Sequence, residues 1–397
     1  MYLVKETRSL YNTEPWRKNY EDRINVLREA KKRNENTVAY LYPEFDSSTF
    51  RYRGYNTCET LEYSLLWKGM YFENVDIEKL LDEIDCIDVL ICIRVLWDES
   101  VDKLISAMHS HNKPVCYDVD DLIYDTKYIN EVIPAIDLTP THYTFWLGTI
   151  CRYNKVIRQC DSFITTNEYL AKYISNDFDG ECYILKNYLN WIQIDVSDNY
   201  FSQKKQLESE DAFVLGYFSG SPTHVKDLLV AMPYIERLLC EYNDIELHIV
   251  GYMDLPSKYN KWIENKRIQY IPFQSFVGLQ YEQAKVDVNI VPLYNNIFSN
   301  CKSELKYFES AVVGTPTCAT PSFTYAKAIK DGVNGFLCES EEWYDKIKNL
   351  YLNRMSIEKK EFIRNKAIQE YSSENQIHYL ENVLFSIRKG LITNGSC

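Results

Sequence analysis

The sequence predicts an α/β protein with two Rossmann-like domains whose parallel sheets face a central cleft. Three observations lead to this prediction. The chain has 397 residues, which is more than a single hydrophobic core usually supports. Short apolar runs alternate with helix-length segments almost from end to end, which is the pattern of βαβ units. A polar stretch divides these runs into two series of similar length, so we expect two domains.

Each series supplies the strands of one predicted sheet. The first series consists of Thr37–Tyr42, Ile87–Ile93, Pro114–Val119, Asp161–Thr165 and Glu181–Leu185. The second series consists of Phe213–Phe218, Ile245–Val250, Arg267–Ile271, Val286–Val291, Pro316–Thr320 and Gly335–Cys338. These runs are apolar rather than alternating, as expected for strands that are covered on both faces.

The domain limits follow from the polar stretch Asn190–Asp211, which lacks helical periodicity. We predict an N-terminal domain over residues 1–195, a linker over 196–211 and a C-terminal domain over 212–355. Residues 356–397 are helical in pattern, and crossing back to brace the first domain is one arrangement open to them. Ligands of such sheets bind beyond the carboxyl ends of the strands, so the site residues are expected there.

The composition argues against several classes of protein. The formal net charge of −13 argues against a nucleic-acid partner, because neutralising phosphates requires a basic face. No apolar run is long enough to span a membrane and no secretory segment opens the chain, so we expect a cytoplasmic protein. The 12 cysteines form no CxxC pair or zinc-type cluster. We therefore expect buried, reduced thiols and no metal site.

The N-terminal segment carries an apolar helical face among basic residues. Trp16, Tyr20, Ile24 and Leu27 share this face, and nine Lys or Arg residues occur in the first 33 positions. Two interpretations remain open. The segment either makes a peripheral contact with the inner face of a membrane, or it packs on its own domain with the basic face in solvent. We favour packing.

A helix is predicted over Ser303–Val313, with Ser303 as its N-cap. Lys302 and Lys306 flank the first turn, where the helix dipole disfavours cations by about 0.3–1 kcal/mol each. A bound anion would remove this conflict, because the free N–H groups and both ammonium groups would converge on it. The sequence therefore predicts an anion site here. The alternative is that both lysines point into solvent and Glu304 compensates their charge.

A second loop has the composition of a phosphate-binding turn. The first strand of the second series is followed by Ser219, Gly220, Ser221, Thr223 and His224. Small residues between a strand and its helix let backbone N–H groups approach a phosphate. The loop matches neither the Walker A motif nor GxGxxG, so nucleotide hydrolysis and dinucleotide binding are not supported. His224 either hydrogen-bonds a phosphate or lies on the surface at a helix start.

Five stretches of the second half together resemble the C-terminal domain of glycosyltransferase family 4 and related bacterial GT-B glycosyltransferases. They are YFSGSPTH from Tyr217, LHIVG from Leu247, DVNIVPL from Asp287, KSELKYFE from Lys302 and DGVNGFL from Asp331. Their order and spacing match over Phe213–Leu350. The first half resembles bacterial relatives more loosely, through FRYRGYN from Phe50 and VCYDVDDLIY from Val115.

This resemblance implies a GT-B fold and a nucleotide diphosphate sugar as donor, most simply of the UDP type, with retention of configuration and no metal or cofactor. By position, Glu309 corresponds to the second of the family's paired glutamates, which typically binds the donor ribose. The first glutamate would fall at Cys301, where this chain departs from the pattern. Some relatives carry a Lys-Ser element instead, so Lys302 and Ser303 would meet the diphosphate. The predicted donor residues of this segment are Lys302, Ser303, Glu304, Leu305 and Glu309.

Charged residues beyond two predicted strands are candidates for the acceptor side. We expect Arg51 and Arg53 at the rim of the cleft, where they bind an acceptor or the donor diphosphate; surface salt bridges are the alternative. Asp118 and Asp120 are predicted to assist proton removal from the acceptor hydroxyl, and Asp121 to bind the acceptor. A divalent metal held by the aspartates, and helix capping by Asp121, remain alternatives.

Together with this resemblance, these residues predict a glycosyltransferase, of the hexosyltransferase type, that transfers its sugar directly to a glycan or glycoprotein. Lys302 would stabilise the charge on the departing diphosphate. By family analogy alone, the acceptor belongs to a bacterial surface glycan or a glycosylated protein. One alternative is a non-catalytic subunit that binds acceptor and supports a partner glycosyltransferase. A nucleotide-sugar epimerase on the same fold is a further alternative.

Overall fold

The computed structural model describes residues 11–46, 48–132, 139–209, 211–220, 224–251 and 253–394, with side chains described up to residue 390. These residues form two parallel sheets of six strands each. Contacts group the chain into two compact units. The first unit comprises Glu14–Asn190, Asn300–Ser303 and the chain from Ser373 onward, and the second comprises mainly Trp191–Ser299 and Glu304–Ser372.

The sheet of the first unit has the strand order β2-β1-β3-β4-β5-β6. Its strands are β1 (Asn36–Tyr42), β2 (Trp67–Glu73), β3 (Val89–Ile93), β4 (Val115–Asp118), β5 (Ser162–Thr165) and β6 (Glu181–Ile184). All neighbouring strands pair in parallel. The central strands are fully buried, as the apolar runs predicted.

The sheet of the second unit has the order β12-β11-β10-β7-β8-β9. Its strands are β7 (Phe213–Ser219), β8 (Ile245–Gly251), β9 (Ile268–Ile271), β10 (Val288–Val291), β11 (Thr317–Ala319) and β12 (Phe336–Leu337). Leu215, Ile249 and Ile290 of this sheet share one core with Met232 and Trp343 from its helices. All eleven predicted strands are therefore confirmed, with ends shifted by one or two residues.

Helices connect the strands in both units. In chain order the α-helices are Tyr20–Lys32, Asn56–Glu62, Ile77–Leu81, Glu99–Ser110, Ile129–Val132, Pro140–Ile157, Glu168–Asp177, Trp191–Ser202, Lys204–Leu207, Val225–Glu241, Asn260–Glu264, Phe276–Lys285, Ile297–Cys301, Leu305–Ala311, Phe323–Ala328, Glu342–Leu352, Ile357–Tyr371 and Ile377–Asn394. A π-helical turn spans Arg51–Tyr55. Several helices begin at side chains that accept a backbone N–H, as Asn19 and Asn167 do.

Strand β2 is the one strand of the described residues that the sequence pattern missed. Its run WKGMYFE is broken by Lys68 and Gly69 and ends in Glu73, so no continuous apolar stretch marks it. The strand lies at the edge of the sheet, where partly polar runs are tolerated. Gly69 is required by close packing, because a Cβ atom there would lie 2.6 Å from Cδ1 of the buried Leu61.

The predicted linker over residues 196–211 is wrong in its local structure. The helices Trp191–Ser202 and Lys204–Leu207 occupy most of it. Val196, Tyr200 and Lys204 are buried, and the Lys204 ammonium donates to the carbonyl oxygen of Ala284 at 3.0 Å. Tertiary packing therefore holds these helices, although their sequence has little helical periodicity of its own.

The N-terminal helix packs on the first unit, as we favoured. Tyr20, Ile24 and Leu27 on the helix Tyr20–Lys32 are all buried. The Tyr20 ring lies 6.0 Å from that of Phe72 in strand β2. This apolar face is thus covered by protein. Among the described helices, none combines the length and apolar character needed to cross a membrane.

Candidate functional site

Polar side chains collect where the strands of the first sheet end. Because parallel strands present their carboxyl ends at one edge of a sheet, residues that follow them come together. The residues concerned are Arg94 after β3, Asp118, Asp120 and Asp121 at the end of β4, Asn167 after β5 and Asn187 after β6. The short segment Asn300–Ser303 belongs to the same unit and carries Lys302.

The innermost part of this edge is a buried ion pair between Arg53 and Asp118, each with a side chain that is 1% exposed. The Arg53 guanidinium donates from Nε to Oδ1 and from Nη2 to Oδ2 of Asp118, both at 2.9 Å. Burial raises the pKa of Asp118 to about 6, although the positive charge of Arg53 acts in the opposite direction. Both carboxylate oxygens of Asp118 are thus engaged by protein.

The expected rim position of Arg51 and Arg53 is wrong. The π-helical turn Arg51–Tyr55 follows the loop after β1 and turns both arginines inward, leaving them 3% and 1% exposed. The Arg51 guanidinium stacks on the ring of Tyr52 at 4.1 Å. Neither surface salt bridging nor acceptor binding at a rim describes these residues. Asp118, predicted to assist catalysis, is likewise withdrawn from solvent by its pairing.

Arg94 holds the two other aspartates. Its Nη2 donates to Oδ2 of Asp121 at 2.6 Å, and its Nε donates to Oδ1 of Asp120. Burial raises the pKa of Asp121, and the positive charges of Arg94 and Lys302 act in the opposite direction. The backbone of Arg94 has φ +46°, in the region that only glycine adopts readily. Such strain at a strand end is typical of residues that a functional site keeps in place.

Sequence reasoning missed Arg94. Its position directly after the predicted strand Ile87–Ile93 could have marked it as a candidate site residue. The Arg94 guanidinium argues against a divalent metal ion shared by Asp120 and Asp121, because it already binds one carboxylate oxygen of each aspartate. Within the described part of the chain, no three His, Cys, Asp or Glu residues gather in a way that could hold a metal ion.

Two buried asparagines hold the segment that contains Lys302. Asn167 Nδ2 donates to the carbonyl oxygen of Cys301 at 2.7 Å. Asn187 Nδ2 donates to the hydroxyl oxygen of Ser303 at 3.0 Å. The asparagines are 2% and 5% exposed, whereas Lys302 and Ser303 are half-buried and can be reached from solvent. The segment is therefore fixed from its protein side and open on the other.

The helix predicted over Ser303–Val313 is shorter than expected. It begins at Leu305 and ends at Ala311, and Glu304 occupies the N-cap position without a capping side-chain bond. Ser303 does not cap it, because its hydroxyl oxygen accepts from Asn187 instead. Lys302 consequently precedes the helix. The structure therefore does not place Lys302 at the first turn of this helix. An anion beside Lys302 would be bound by the lysine side chain and the loop, and not by the N–H groups of the helix start.

Three predicted donor residues of the second unit lie in or directly before the helix Leu305–Ala311. Glu309 is buried in the helix Leu305–Ala311, and its carbonyl oxygen accepts from Gln280. Glu304 is also buried and accepts from the Tyr371 hydroxyl at 2.9 Å. Leu305 is half-buried. These two glutamates therefore occupy protein-lined positions, and solvent reaches neither of them freely.

The small-residue loop is described only in part. Ser219 ends β7 and is buried, and a Cβ atom built on Gly220 would meet nothing within 4 Å. Ser221 and Thr223, both predicted donor residues, lie outside the described residues. His224 precedes the helix Val225–Glu241, and its Nδ1 lies 3.2 Å from Oδ2 of Asp227. This geometry fits its alternative interpretation as a helix-start residue.

Comparisons with known proteins found a family match within the second half of the chain and solved structures with a similar fold. Residues 212–353 match the family described as "Glycosyl transferases group 1". A comparison with curated proteins finds no match. Among solved structures, Alr3699/HepE of Anabaena in complex with UDP and glucose is 13% identical, with a TM-score of 0.59 over 88% of this chain and 99% of that one.

Two further structures are similar at the level of the fold. A TarM mutant of S. aureus, in complex with Fondaparinux, alpha-GlcNAc-glycerol and UDP, is 18% identical with a TM-score of 0.51, over 79% of this chain and 58% of that one. This chain thus spans little more than half of TarM. Sucrose-phosphate synthase of Thermosynechococcus elongatus is 12% identical with a TM-score of 0.57, over 89% of this chain and 100% of that one.

The fold is GT-B, and the resemblance to GT-B glycosyltransferases is confirmed. Together with the family match, it supports glycosyl transfer as the activity.

Proposed function

We propose that this protein transfers a hexose from a nucleoside diphosphate sugar, most simply a UDP-sugar, to a glycan or glycoprotein hydroxyl, with retention of configuration and without a metal ion. Glycosyl transfer rests on the family match over residues 212–353 and on the GT-B fold. HepE and TarM were crystallised with UDP, which favours uridine as the base. The stereochemistry follows only from the family resemblance.

The observation that carries the proposal is the anchored segment Asn300–Ser303. Asn167 and Asn187 fix it from one side, while Lys302 and Ser303 remain accessible on the other. An ammonium group and a hydroxyl side by side on a fixed loop are suited to phosphate oxygens. Because the loop does not need to reorganise, these groups can stabilise the negative charge that develops on the departing diphosphate.

Other predicted roles keep the status of proposals. Glu309 is the proposed ribose contact, and Ser219 and Gly220 are proposed to contact phosphate through their backbone. Asp120 and Asp121 are the proposed acceptor residues, with Arg94 keeping both carboxylates in position. We infer that the protein acts in the cytoplasm, in line with thiols such as Cys92 and Cys116 that are buried in the sheet.

Lys302→Ala tests the diphosphate contact. We expect this variant to keep its thermal midpoint and to lose kcat/KM by about 30-fold or more, which corresponds to about 2 kcal/mol of transition-state stabilisation. The matched control is Lys330→Ala, which removes one positive charge from an exposed lysine of the second unit. Full turnover by Lys302→Ala would contradict the assignment.

Donor identity and metal use are tested together by thermal-shift measurements with UDP, GDP, dTDP and CMP, each with and without EDTA. A specific ligand at 100 times its Kd adds about 2.7 kcal/mol of stability. We expect stabilisation by UDP that is insensitive to EDTA. Stabilisation that EDTA abolishes would reject metal independence. The anomeric proton of the product, followed by NMR during turnover, decides between retention and inversion.

One feature favours a second candidate, a non-catalytic subunit that supports a partner glycosyltransferase. The family's first glutamate is replaced by Cys301, whose thiol is fully buried and whose pKa burial raises. Such a subunit would bind acceptor but no nucleotide. The absence of any thermal shift with the four nucleotides, together with binding of a glycan, would favour this candidate over the enzyme.

A further inference from the structure

A chain of side-chain hydrogen bonds leads from the buried ion pair to the accessible Ser303. Asp118 holds the guanidinium of Arg53. Arg53 Nη1 donates to Oδ1 of Asn187 at 3.1 Å and to the carbonyl oxygen of Leu185 at 2.6 Å. Asn187 Nδ2 then donates to the hydroxyl oxygen of Ser303 at 3.0 Å. All these residues belong to the first unit.

The donor and acceptor roles in this series of hydrogen bonds follow from the chemistry of the side chains. A guanidinium carries only N–H donors, so the atom of Asn187 that faces Arg53 must be the amide oxygen. The amide nitrogen therefore faces Ser303, and this assignment does not depend on distinguishing oxygen from nitrogen by position. Asp118 in turn keeps Arg53 in place, because an unpaired buried guanidinium would be strongly unfavourable.

The consequence falls on the Ser303 proton. A hydroxyl has one hydrogen to donate and can accept through its lone pairs. Since Asn187 occupies an acceptor position, the Ser303 hydrogen points elsewhere. No described residue accepts it: the bond from Asn187 is the hydrogen bond that the described part of the chain gives to this hydroxyl. Ser303 thus presents a donor to whatever binds beside Lys302.

We propose that Asn187 is a positioning residue that, held by Arg53 and Asp118, commits the Ser303 hydroxyl proton to a ligand oxygen and so makes this site select a diphosphate. This inference rests on the proposed function. Phosphate oxygens accept hydrogen bonds and donate none at neutral pH, so a hydroxyl fixed as a donor matches them. Asn187 itself does not touch the ligand and acts through Ser303.

A double-mutant cycle between Asn187 and Ser303 tests the proposal, with UDP affinity measured by calorimetry. We expect Ser303→Ala to weaken UDP binding about ten-fold. Asn187→Leu should weaken it by a similar or smaller factor. If Asn187 acts through Ser303, the double variant binds UDP no more weakly than Ser303→Ala. Effects that multiply in the double variant, or full affinity in Asn187→Leu, would overturn the inference.

Two further variants separate positioning from general damage. Asn154→Leu is the matched control, because Asn154 also accepts from an arginine, Arg158, and donates from Nδ2 to a carbonyl oxygen, that of Tyr124. It should keep UDP affinity. Asn187→Asp keeps an oxygen for Arg53 but offers Ser303 an acceptor, so the hydroxyl should turn inward. We expect UDP binding at least ten-fold weaker, and full affinity in this variant would also overturn the inference.

The same experiment distinguishes the two levels of the argument. If the wild-type protein binds none of UDP, GDP and dTDP, the proposed function fails and the inference fails with it. If the wild-type protein binds UDP and loses it in Lys302→Ala, but Asn187 and Ser303 behave independently, the proposed function stands and only the positioning role of Asn187 is rejected.

Discussion

The buried pair between Arg53 and Asp118 allows a sharp distinction between a structural and a catalytic aspartate. Asp118→Asn removes the negative charge while keeping the size of the side chain. Arg53 retains the carbonyl oxygen of Leu185 and the amide oxygen of Asn187, but it loses the anion that compensates its charge in a site that is 1% exposed. The substitution therefore leaves a buried, uncompensated guanidinium.

The expected destabilisation is about 3–5 kcal/mol, the usual effect of breaking a buried ion pair by removing one partner. This is a large fraction of the stability of a typical domain, so the urea midpoint of the first unit should fall well below that of the wild-type protein. Circular dichroism follows the transition. Since two units can unfold separately, midpoints are compared rather than a single extrapolated free energy.

Two variants serve as references for this measurement. Glu14→Gln breaks the exposed pair with Arg17 and should leave the midpoint unchanged, because solvent screens such pairs. The double variant Arg53→Met with Asp118→Leu removes both charges and should recover most of the loss. An Asp118→Asn protein with the wild-type midpoint but no transferase activity would refute the structural interpretation and restore the catalytic role predicted from sequence.

Two further predictions concern stability. Gly251→Ala should destabilise the second unit by about 1–3 kcal/mol in thermal unfolding. Gly251 has φ +107°, and an added Cβ atom would lie 1.9 Å from the carbonyl oxygen of Ser219. Gly148→Ala, in a helix with open space around it, should instead increase the free energy of unfolding by about 0.5–1 kcal/mol. The hydrogen bond that His109 Nε2 donates to Oδ2 of Asp161 raises the pKa of His109 above its ordinary 6.5, although burial opposes it. The stability due to this pair is complete below pH 6.5 and is lost as pH rises through the raised pKa. His109→Gln should therefore lower the urea midpoint at about pH 5.5 more than at about pH 8.5, and equal effects would contradict the assignment.

The sequence predicted the two sheets well because their strands are buried on both faces and therefore read as apolar runs. Strand β2 escaped because an edge strand needs no such run, and Gly69 serves a contact with Leu61 that only the fold reveals. The helix Trp191–Ser202 escaped for a related reason: its buried face includes the polar residues Gln193 and Ser197, and the Ser197 hydroxyl donates to the side-chain oxygen of Gln280. Polar residues in a buried face erase the periodicity on which the prediction depends.

The site was predictable in part. Asp120 and Asp121 follow a clear strand, so their place at the sheet edge could be expected. Their pairing with Arg94 could not, because the contact joins residues more than 25 positions apart in the chain. Asn187 carried no signal at all, since a single asparagine after a strand is common in loops. Its importance follows only from the hydrogen bonds that surround it.

The buried pairing of Asp118 with Arg53 shows what a sequence motif can and cannot assign. The motif correctly marked a carboxylate at the end of β4, but the same position can serve chemistry directly or through other groups. Here Asp118 fixes Arg53, Arg53 fixes Asn187, and Asn187 orients the hydroxyl of Ser303. Burying a charge pair costs free energy. This pair holds a series of hydrogen bonds in place, and the last residue of that series, Ser303, is accessible to a ligand. Loss of Asp118 should therefore impair activity even in molecules that remain folded, and the impairment should appear as weaker UDP binding rather than as a slower acceptor deprotonation step.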